Sequence, residues 1–202
     1  MDETWFQQYL EYDFEILGFK LERFTFGHHC LLNRVDSPFV VDRNEFIFDD
    51  LLLALLICSL PYDEAKRINF NSSKYISKVE EAGRKVESKD ELTEAVDLFL
   101  KYIQAYNRQP DFKILNKGGG AVGSPGWLVV SMSLQKELHR TESVIMNEVC
   151  GKVFTDYYVL RELEGSIAVI SEEEADVIKA AQKIYDECDD KTFGTVITNV
   201  NN

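Results

Sequence analysis

Apolar residues recur at helical spacing along most of this chain. The pattern is clearest from 88 to 106, where it follows the segment Ser88-Lys89-Asp90-Glu91. Ser-x-x-Glu is a capping box, in which the two side chains satisfy backbone N–H groups of the first helical turn. The apolar stripe that follows consists of Leu92, Ala95, Val96, Phe99, Leu100, Ile103 and Tyr106. This spacing predicts an amphipathic helix over 88–106.

The segment from Leu51 to Cys58 is apolar on every side and contains leucine rather than valine. A helix of this kind is typical of a protein core, and leucine favours a helix over a strand. Asp49 and Asp50 precede it, where the helix dipole stabilises carboxylates. The apolar run to Leu60 holds about ten residues, whereas a membrane span needs about 20. The pattern predicts a buried helix and no membrane segment.

The remaining segments alternate between helical patterns and helix-breaking residues. Residues 19–26 alternate with period two, which fits a short strand or an extended connector. Thr25 is also a candidate N-cap for a helix over 26–35, and Gly18 a stop for a helix over 3–17. Further helices are predicted over 63–70, 72–86, 127–138, 141–146, 148–163 and 171–188, with a short extended link over 167–170.

A glycine-rich segment interrupts the helical pattern at 116–126. It holds five glycines and one proline, a composition that does not sustain regular structure. We therefore expect an N-terminal helical subdomain over 1–115, a linker over 116–126, a C-terminal helical subdomain over 127–190 and a flexible tail over 191–202. The predicted fold is all-α or mostly α: a compact multi-helix bundle in two subdomains, with at most a short two-stranded element.

Composition and charge narrow the possible partners. Apolar residues make up 45% of the chain, which is enough to build a hydrophobic core. The formal net charge of −13 repels DNA, RNA and anionic lipid, so neither nucleic acid nor a membrane is expected as a partner. The N-terminus is acidic and lacks the basic region of a signal peptide. We expect a cytoplasmic protein.

The segment His28-His29-Cys30 raises the possibility of a metal site. Adjacent helical side chains point about 100° apart, so the three cannot all bind one ion. The alternative is one histidine that packs or hydrogen-bonds at a helix start beside one exposed histidine. We predict no metal ligand here.

Other candidate chemistry is equally sparse. Cys30 or Cys150 could pair with His139 as a nucleophile, but no turn motif surrounds either cysteine. The glycine cluster is not a phosphate-binding loop, because Lys117 precedes the glycines instead of following them. We therefore predict no catalytic, cofactor-binding or metal-binding residue, no cofactor and no enzymatic activity. An enzyme would be expected to depend on His28, His29 or Cys150.

Several motifs in order resemble a known family. They are Leu17-Gly18-Phe19-Lys20-Leu21, Phe24-Thr25-Phe26-Gly27-His28-His29-Cys30-Leu31-Leu32, Ser37-Pro38-Phe39, Asp49-Asp50 with the leucine-rich helix, Pro125-Gly126-Trp127-Leu128, Met146-Asn147-Glu148, and Ser171-Glu172-Glu173-Glu174. The order is similar to that of tail assembly chaperones of long-tailed bacteriophages over most of 17–180. The polar stretch 61–88 is longer than in a minimal member.

The resemblance implies a binding function and not a catalytic one. Members are small, acidic, mostly helical proteins of the bacterial host cytoplasm, which coat the tape measure protein before the tail tube polymerises. It implies a homo-oligomer that binds the tape measure protein or another tail protein. The alternatives are a structural tail or neck component of the virion, an enzyme, and a regulatory adaptor.

Surplus aromatic residues are the candidates for partner binding. A chaperone of this kind needs an apolar groove for an amphipathic helix. The residues proposed to line it are Trp5, Tyr9, Phe24, Phe26 and Trp127. The alternative is that these aromatic side chains belong to the hydrophobic core.

Overall fold

The computed structural model describes residues 12–41, 47–68, 73–86, 88–108, 113–116, 125–165, 167–170 and 176–181. Its helices are α1 (Phe26–Arg34), α2 (Phe48–Cys58), α3 (Tyr62–Ala65), α4 (Ser73–Gly83), α5 (Lys89–Asn107), α6 (Gly126–Leu138), α7 (Glu142–Asn147) and α8 (Cys150–Leu163). Its strands are β1 (Glu15–Ile16), β2 (Phe19–Lys20), β3 (Lys113–Asn116) and β4 (Ile167–Ile170), and residues 176–181 are helical. The mostly α fold is confirmed.

The helices begin where local sequence signals place them. The Thr25 side chain accepts a hydrogen bond from the His28 backbone N–H and caps α1. Ser88 and Glu91 form the predicted capping box of α5, with N···O distances of 3.2 Å and 3.0 Å. In α2, the Asp50 carboxylate accepts a hydrogen bond from the Ile47 N–H at 2.9 Å. These bonds satisfy backbone donors that the first turn leaves without partners.

The core of the first compact unit is aromatic and leucine-rich. Phe99, Tyr102 and Tyr106 on α5 are buried, and so are seven of the eleven residues of α2. Tyr102 contacts Phe24 and Phe14 edge-on, with ring centroids 5.8 Å and 5.5 Å apart. Its hydroxyl donates a hydrogen bond to the Glu22 carbonyl at 2.9 Å, so this buried polar group has a partner.

The predicted helix over 3–17 is wrong where the structure describes it, and residues 3–11 lie outside the described part. Residues 12–14 are not helical, and β1 pairs antiparallel with β2. Leu17 and Gly18 form the turn with φ values of 51° and 82°, and positive φ at both positions characterises type I′ hairpins. The hairpin buries Ile16 and Phe19, which explains why it replaces a helix.

Two segments distant in sequence meet at the starts of α1 and α8. Thr25 and Val149 form an antiparallel bridge. The Phe26 N–H donates to the Glu148 carbonyl at 2.9 Å, and the Cys150 N–H donates to the Phe24 carbonyl at 3.1 Å. This bridge fixes residues 148–150 beside the N-terminal part of the chain.

The chain divides into two compact units, residues 1–110 with 121–157, and residues 111–120 with 158–202. This division differs from the predicted boundaries, because α6, α7 and the start of α8 group with the N-terminal helices. The bridge between Thr25 and Val149 is one physical reason. Most of the predicted linker, residues 117–124, and the predicted tail 191–202 lie outside the described residues.

The second unit contains the other strand pair. β3 pairs antiparallel with β4, with Lys113 opposite Ile170 and Asn116 opposite Ile167. The extended link predicted over 167–170 is therefore a strand, while its partner β3 was not predicted. The described residues thus contain one short strand pair more than the sequence led us to expect.

Candidate protein-binding surface

Two of the predicted partner-binding residues belong to the core. Phe24 and Phe26 have no exposed surface. Phe24 packs on Tyr102, and Phe26 contacts Phe154 edge-on with ring centroids 5.5 Å apart. In this conformation neither ring can touch a partner, which corrects their proposed role. The alternative interpretation, aromatic residues at helical spacing as core, applies to both.

The other three predicted residues are not brought together with them. Trp127 is half-buried in the first turn of α6. Trp5 and Tyr9 lie outside the described residues. The described part of the chain therefore contains no aromatic groove of the proposed composition.

His28 is a structural histidine at the start of α1. Its Nε2 lies 2.8 Å from the Leu60 carbonyl oxygen, and its Nδ1 lies 3.2 Å from the Thr25 backbone nitrogen. Burial lowers the pKa of His28, although hydrogen bonds to the backbone of Leu60 and Arg23 act in the opposite direction. His28 is the histidine that packs and hydrogen-bonds at a helix start.

His29 is half-buried, so the expectation of an exposed second histidine was wrong. Its ring stacks on Phe26, with centroids 6.3 Å apart, and meets Phe154 edge-on at 5.7 Å. Burial lowers the pKa of His29. The packing of His29 between these aromatic rings was not visible in the isolated pattern of neighbouring histidines.

The cysteines that the structure describes, Cys30, Cys58 and Cys150, lie where burial disfavours the reactive thiolate. Burial raises the pKa of Cys30 to about 12 and holds the pKa of Cys150 well above its ordinary value. The His139 side chain is exposed, whereas Cys150 is fully buried. Within the described residues, no group of three or more His, Cys, Asp or Glu side chains is arranged to hold a metal ion.

A groove between α2 and α4 exposes apolar surface in the first unit. Its described lining includes the buried Leu52 and Leu56, which we call its floor, and the more exposed Leu53, Tyr75, Ile76 and Val79, which we call its walls. The groove volume is about 240 Å³. Ile76 is 44% exposed, although it belongs to the apolar stripe of α4. We call this feature the α2/α4 groove.

Two carboxylates border the α2/α4 groove. Asp49 on α2 and Glu80 on α4 are both exposed, and they are the residues of its described lining that carry a charge at neutral pH. Among the residues that the structure describes, neither takes part in an ion pair. The groove thus combines an apolar floor with unneutralised negative charge.

A second groove in the same unit has the opposite charge. It lies near the end of α1, has a volume of about 320 Å³ and includes Arg34 and Lys66 in its lining. Lys66 is paired with Asp63 on the same helical segment. A smaller share of its lining is apolar than in the α2/α4 groove. We therefore regard it as the weaker candidate for a protein-binding site.

The sequence pattern predicted a helix over 72–86 but did not identify the α2/α4 groove. The available signal was the stripe Tyr75, Ile76, Val79 and Ala82, which repeats at helical spacing. Ala82 is buried, while Ile76 stays exposed. A single stripe does not reveal which of its members a neighbouring helix covers.

Comparison of the chain with protein-family models, with curated proteins and with solved structures gives no match. No helix in the described ranges combines the length and apolar character needed to cross a membrane. The fold and this surface define a mostly α-helical protein with an apolar groove between two helices and carboxylates at its border.

Proposed function

We propose that this protein is an assembly chaperone that holds an amphipathic helix of another protein, and specifically a tail assembly chaperone of a long-tailed bacteriophage. The α2/α4 groove is the observation that carries the proposal. Apolar grooves between helices are the sites at which amphipathic helices dock. The resemblance in the order of sequence motifs supplies the phage tail and its tape measure protein as the context.

The charge of the chain supports the same role. A chaperone must stay in solution while it presents apolar surface, and a large net charge opposes aggregation. This chain combines a net charge of −13 with an exposed Ile76 at the groove. The proposed site of action is the host cytoplasm, where the protein self-associates and contacts neither nucleic acid nor membrane.

The size of the groove fits a reversible interaction. A groove of about 240 Å³ accepts a few side chains and not a whole protein surface. Association must also offset the loss of translational and rotational freedom, so a small contact binds weakly. Weak binding at each site allows the tape measure protein to be released when the tail tube assembles.

The test is co-expression with the tape measure protein of the same phage genome. We expect the two proteins to co-purify, and Ile76→Glu to abolish the complex by placing a charge in the groove. Met132→Glu is the matched control, because Met132 is 60% exposed and lies on α6, outside the groove lining. A strictly monomeric protein that leaves the tape measure protein insoluble and unbound contradicts the proposal.

Mass spectrometry of purified virions separates this function from the structural alternative. A chaperone is absent from the finished tail, whereas a tail or neck component is present in stoichiometric amounts. Detection of this chain in virions at the copy number of a structural ring would replace the chaperone proposal with the structural one.

A further inference from the structure

The two walls of the α2/α4 groove run antiparallel. A side-chain carbon at Gly83, near the end of α4, would lie 3.9 Å from the Phe48 ring at the start of α2. Both helices also line the groove along 49–56 and 75–80. The end of α4 therefore meets the start of α2, and the groove has two distinguishable ends.

The two ends differ in charge. Asp49 lies next to Phe48, and Glu80 lies one turn before Gly83, so both carboxylates lie at the same end. Leu56, Tyr75 and Ile76 form the other end. The described lining holds no lysine or arginine to neutralise the pair of carboxylates. The groove therefore has one anionic end and one apolar end.

The dimensions limit what can bind. Residues 49–56 on α2 span about 10 Å at a rise of 1.5 Å per residue, which is about two helical turns. Small-molecule sites usually have volumes of about 300–1,000 Å³, more than the 240 Å³ found here. Two turns of a helix, with two or three apolar side chains, match this length and volume.

We propose that the α2/α4 groove binds an amphipathic helix of another protein that carries lysine or arginine at one end of a two-turn apolar stripe. The cationic end lies against Asp49 and Glu80, and the apolar side chains occupy the floor at Leu52 and Leu56. This inference rests on the proposed helix-holding function and adds the charge at one end of the bound segment and the end of the groove that this charge occupies. The self-association proposed above is assigned to another surface of the chain, and a second copy in this groove is an outcome that the test below distinguishes.

The test uses the full chain and four fluorescent peptides that share one amphipathic helical design. The first carries two lysines at one end of the apolar stripe, the second glutamines there, and the third glutamates. The fourth has the composition of the first, with the apolar spacing scrambled. We expect affinity to fall from the lysine to the glutamine to the glutamate peptide, by about three- to tenfold at each step at low salt. The scrambled peptide should bind at least tenfold more weakly than the lysine peptide.

Variants of the protein locate the interaction. Asp49→Asn with Glu80→Gln should remove the preference for lysine. Glu94→Gln with Asp97→Asn is the matched control, because it removes two exposed carboxylates from α5 and should keep the preference. Ile76→Glu should weaken the lysine peptide by more than tenfold, whereas Met132→Glu should leave its affinity unchanged. Circular dichroism melting curves establish that each variant is folded.

Each opposing result has a distinct meaning. Equal binding of the lysine, glutamine and glutamate peptides overturns the charge-directed inference and leaves the helix-holding function in place. An equal loss in the α5 control assigns the preference to net charge and also overturns it. A dimer that Ile76→Glu converts to a monomer identifies a second copy as the occupant, against the inference. Correct peptide preferences without tape measure co-purification overturn the phage assignment alone.

Discussion

The imidazole of His28 joins the start of α1 to the Leu60 carbonyl after α2. The Nε2···O distance is 2.8 Å. Because the Thr25 N–H donates to Nδ1, the neutral ring carries its proton on Nε2 and donates it to Leu60. A second proton would have to occupy Nδ1 and would displace the Thr25 bond. The geometry and the burial of His28 therefore favour the neutral ring.

This arrangement predicts a pH-dependent stability. The pKa of His28 in the folded state is below the ordinary value of 6.5, so the two states bind protons equally above that pH. Below about pH 6.5 the unfolded chain binds a proton that the folded chain does not. As the pH decreases below about 6.5, His28 should therefore lower the free energy of unfolding by up to about 1.4 kcal/mol per pH unit. This loss ends once the pH is below the folded-state pKa of His28, because both states then bind the proton. Urea unfolding between pH 7.5 and 5.5 measures it.

The contribution of His28 is obtained by comparing variants. His28→Gln should show a shallower pH dependence than the wild-type chain, while the lowered pKa of His29 maintains part of it. His139→Asn is the control, because His139 is exposed and asparagine tolerates its φ of 51°. Identical slopes for the wild-type and His28→Gln proteins would show that His28 is not buried in its neutral form.

Gly151 should tolerate no side chain. A methyl group there would lie 2.5 Å from the Arg108 carbonyl oxygen and 3.0 Å from the Tyr106 carbonyl oxygen. These are backbone atoms, so the clash is relieved only by moving α8 away from the end of α5. We expect Gly151→Ala to lower the free energy of unfolding by about 1–3 kcal/mol. Chemical denaturation followed by circular dichroism provides the measurement.

Gly126→Ala is the matched control for that substitution. It lies at the start of α6, and no heavy atom lies within 4 Å of an added side-chain carbon. Alanine there should leave the stability unchanged or raise it by up to about 1 kcal/mol, through the lower entropy of the unfolded chain. Similar losses for both substitutions would mean that the close approach of α8 to α5 does not decide the result.

The capping box of α5 should contribute measurably to stability. Ser88→Ala removes the acceptor of the Glu91 backbone N–H, with an expected cost of about 0.5–2 kcal/mol. Thr93→Ala is the control, because the Thr93 hydroxyl only donates back to the Lys89 carbonyl within the helix. That substitution should be neutral or slightly stabilising, since alanine has the higher helix propensity. Thermal melts that rank the two variants in the opposite order would contradict the assignment of Ser88.

The thiols of Cys58 and Cys150, which are buried, and of Cys30, which is half-buried, should react slowly with thiol reagents. A pKa of about 12, as for Cys30 and Cys58, leaves about one thiolate in ten thousand at pH 8. Because Cys188 lies outside the described residues, the experiment uses a Cys188→Ser variant. We expect slow reaction with a disulfide reagent in buffer and three rapidly reacting thiols in urea. Rapid, stoichiometric modification of Cys30 in the folded protein would refute its burial.

Local signals predicted the starts of several helices correctly. Thr25 caps α1 and Ser88 caps α5, because each cap depends on residues within one turn. The prediction of a helix over 3–17 was wrong for its described residues, because Phe14 and Ile16 fit a helical stripe and a buried hairpin equally well. The contact of Phe14 with Tyr102, 88 positions away, is not visible in a local pattern.

The candidate binding groove shows even more clearly that a local sequence pattern does not reveal contacts between distant residues. The surplus of aromatic residues led us to predict Phe24 and Phe26 on a partner-binding surface. The structure buries both side chains and exposes Ile76 instead. The border carboxylate Asp49 was recognised only as a first-turn residue of a helix. Asp49 and Glu80 lie at the same end of a groove only because of how α2 and α4 pack.

The sequence by itself determined the mostly helical class, the buried leucine-rich helix and the acidic surface, because composition, spacing and capping act over a few residues. Only the tertiary structure decided that Val149 lies beside Thr25 and that Ile76 remains uncovered beside Leu52 and Leu56. Burial depends on which distant segments cover a side chain. The packing of the whole unit determines which segments cover it, and the residues within a single helical turn do not contain that information.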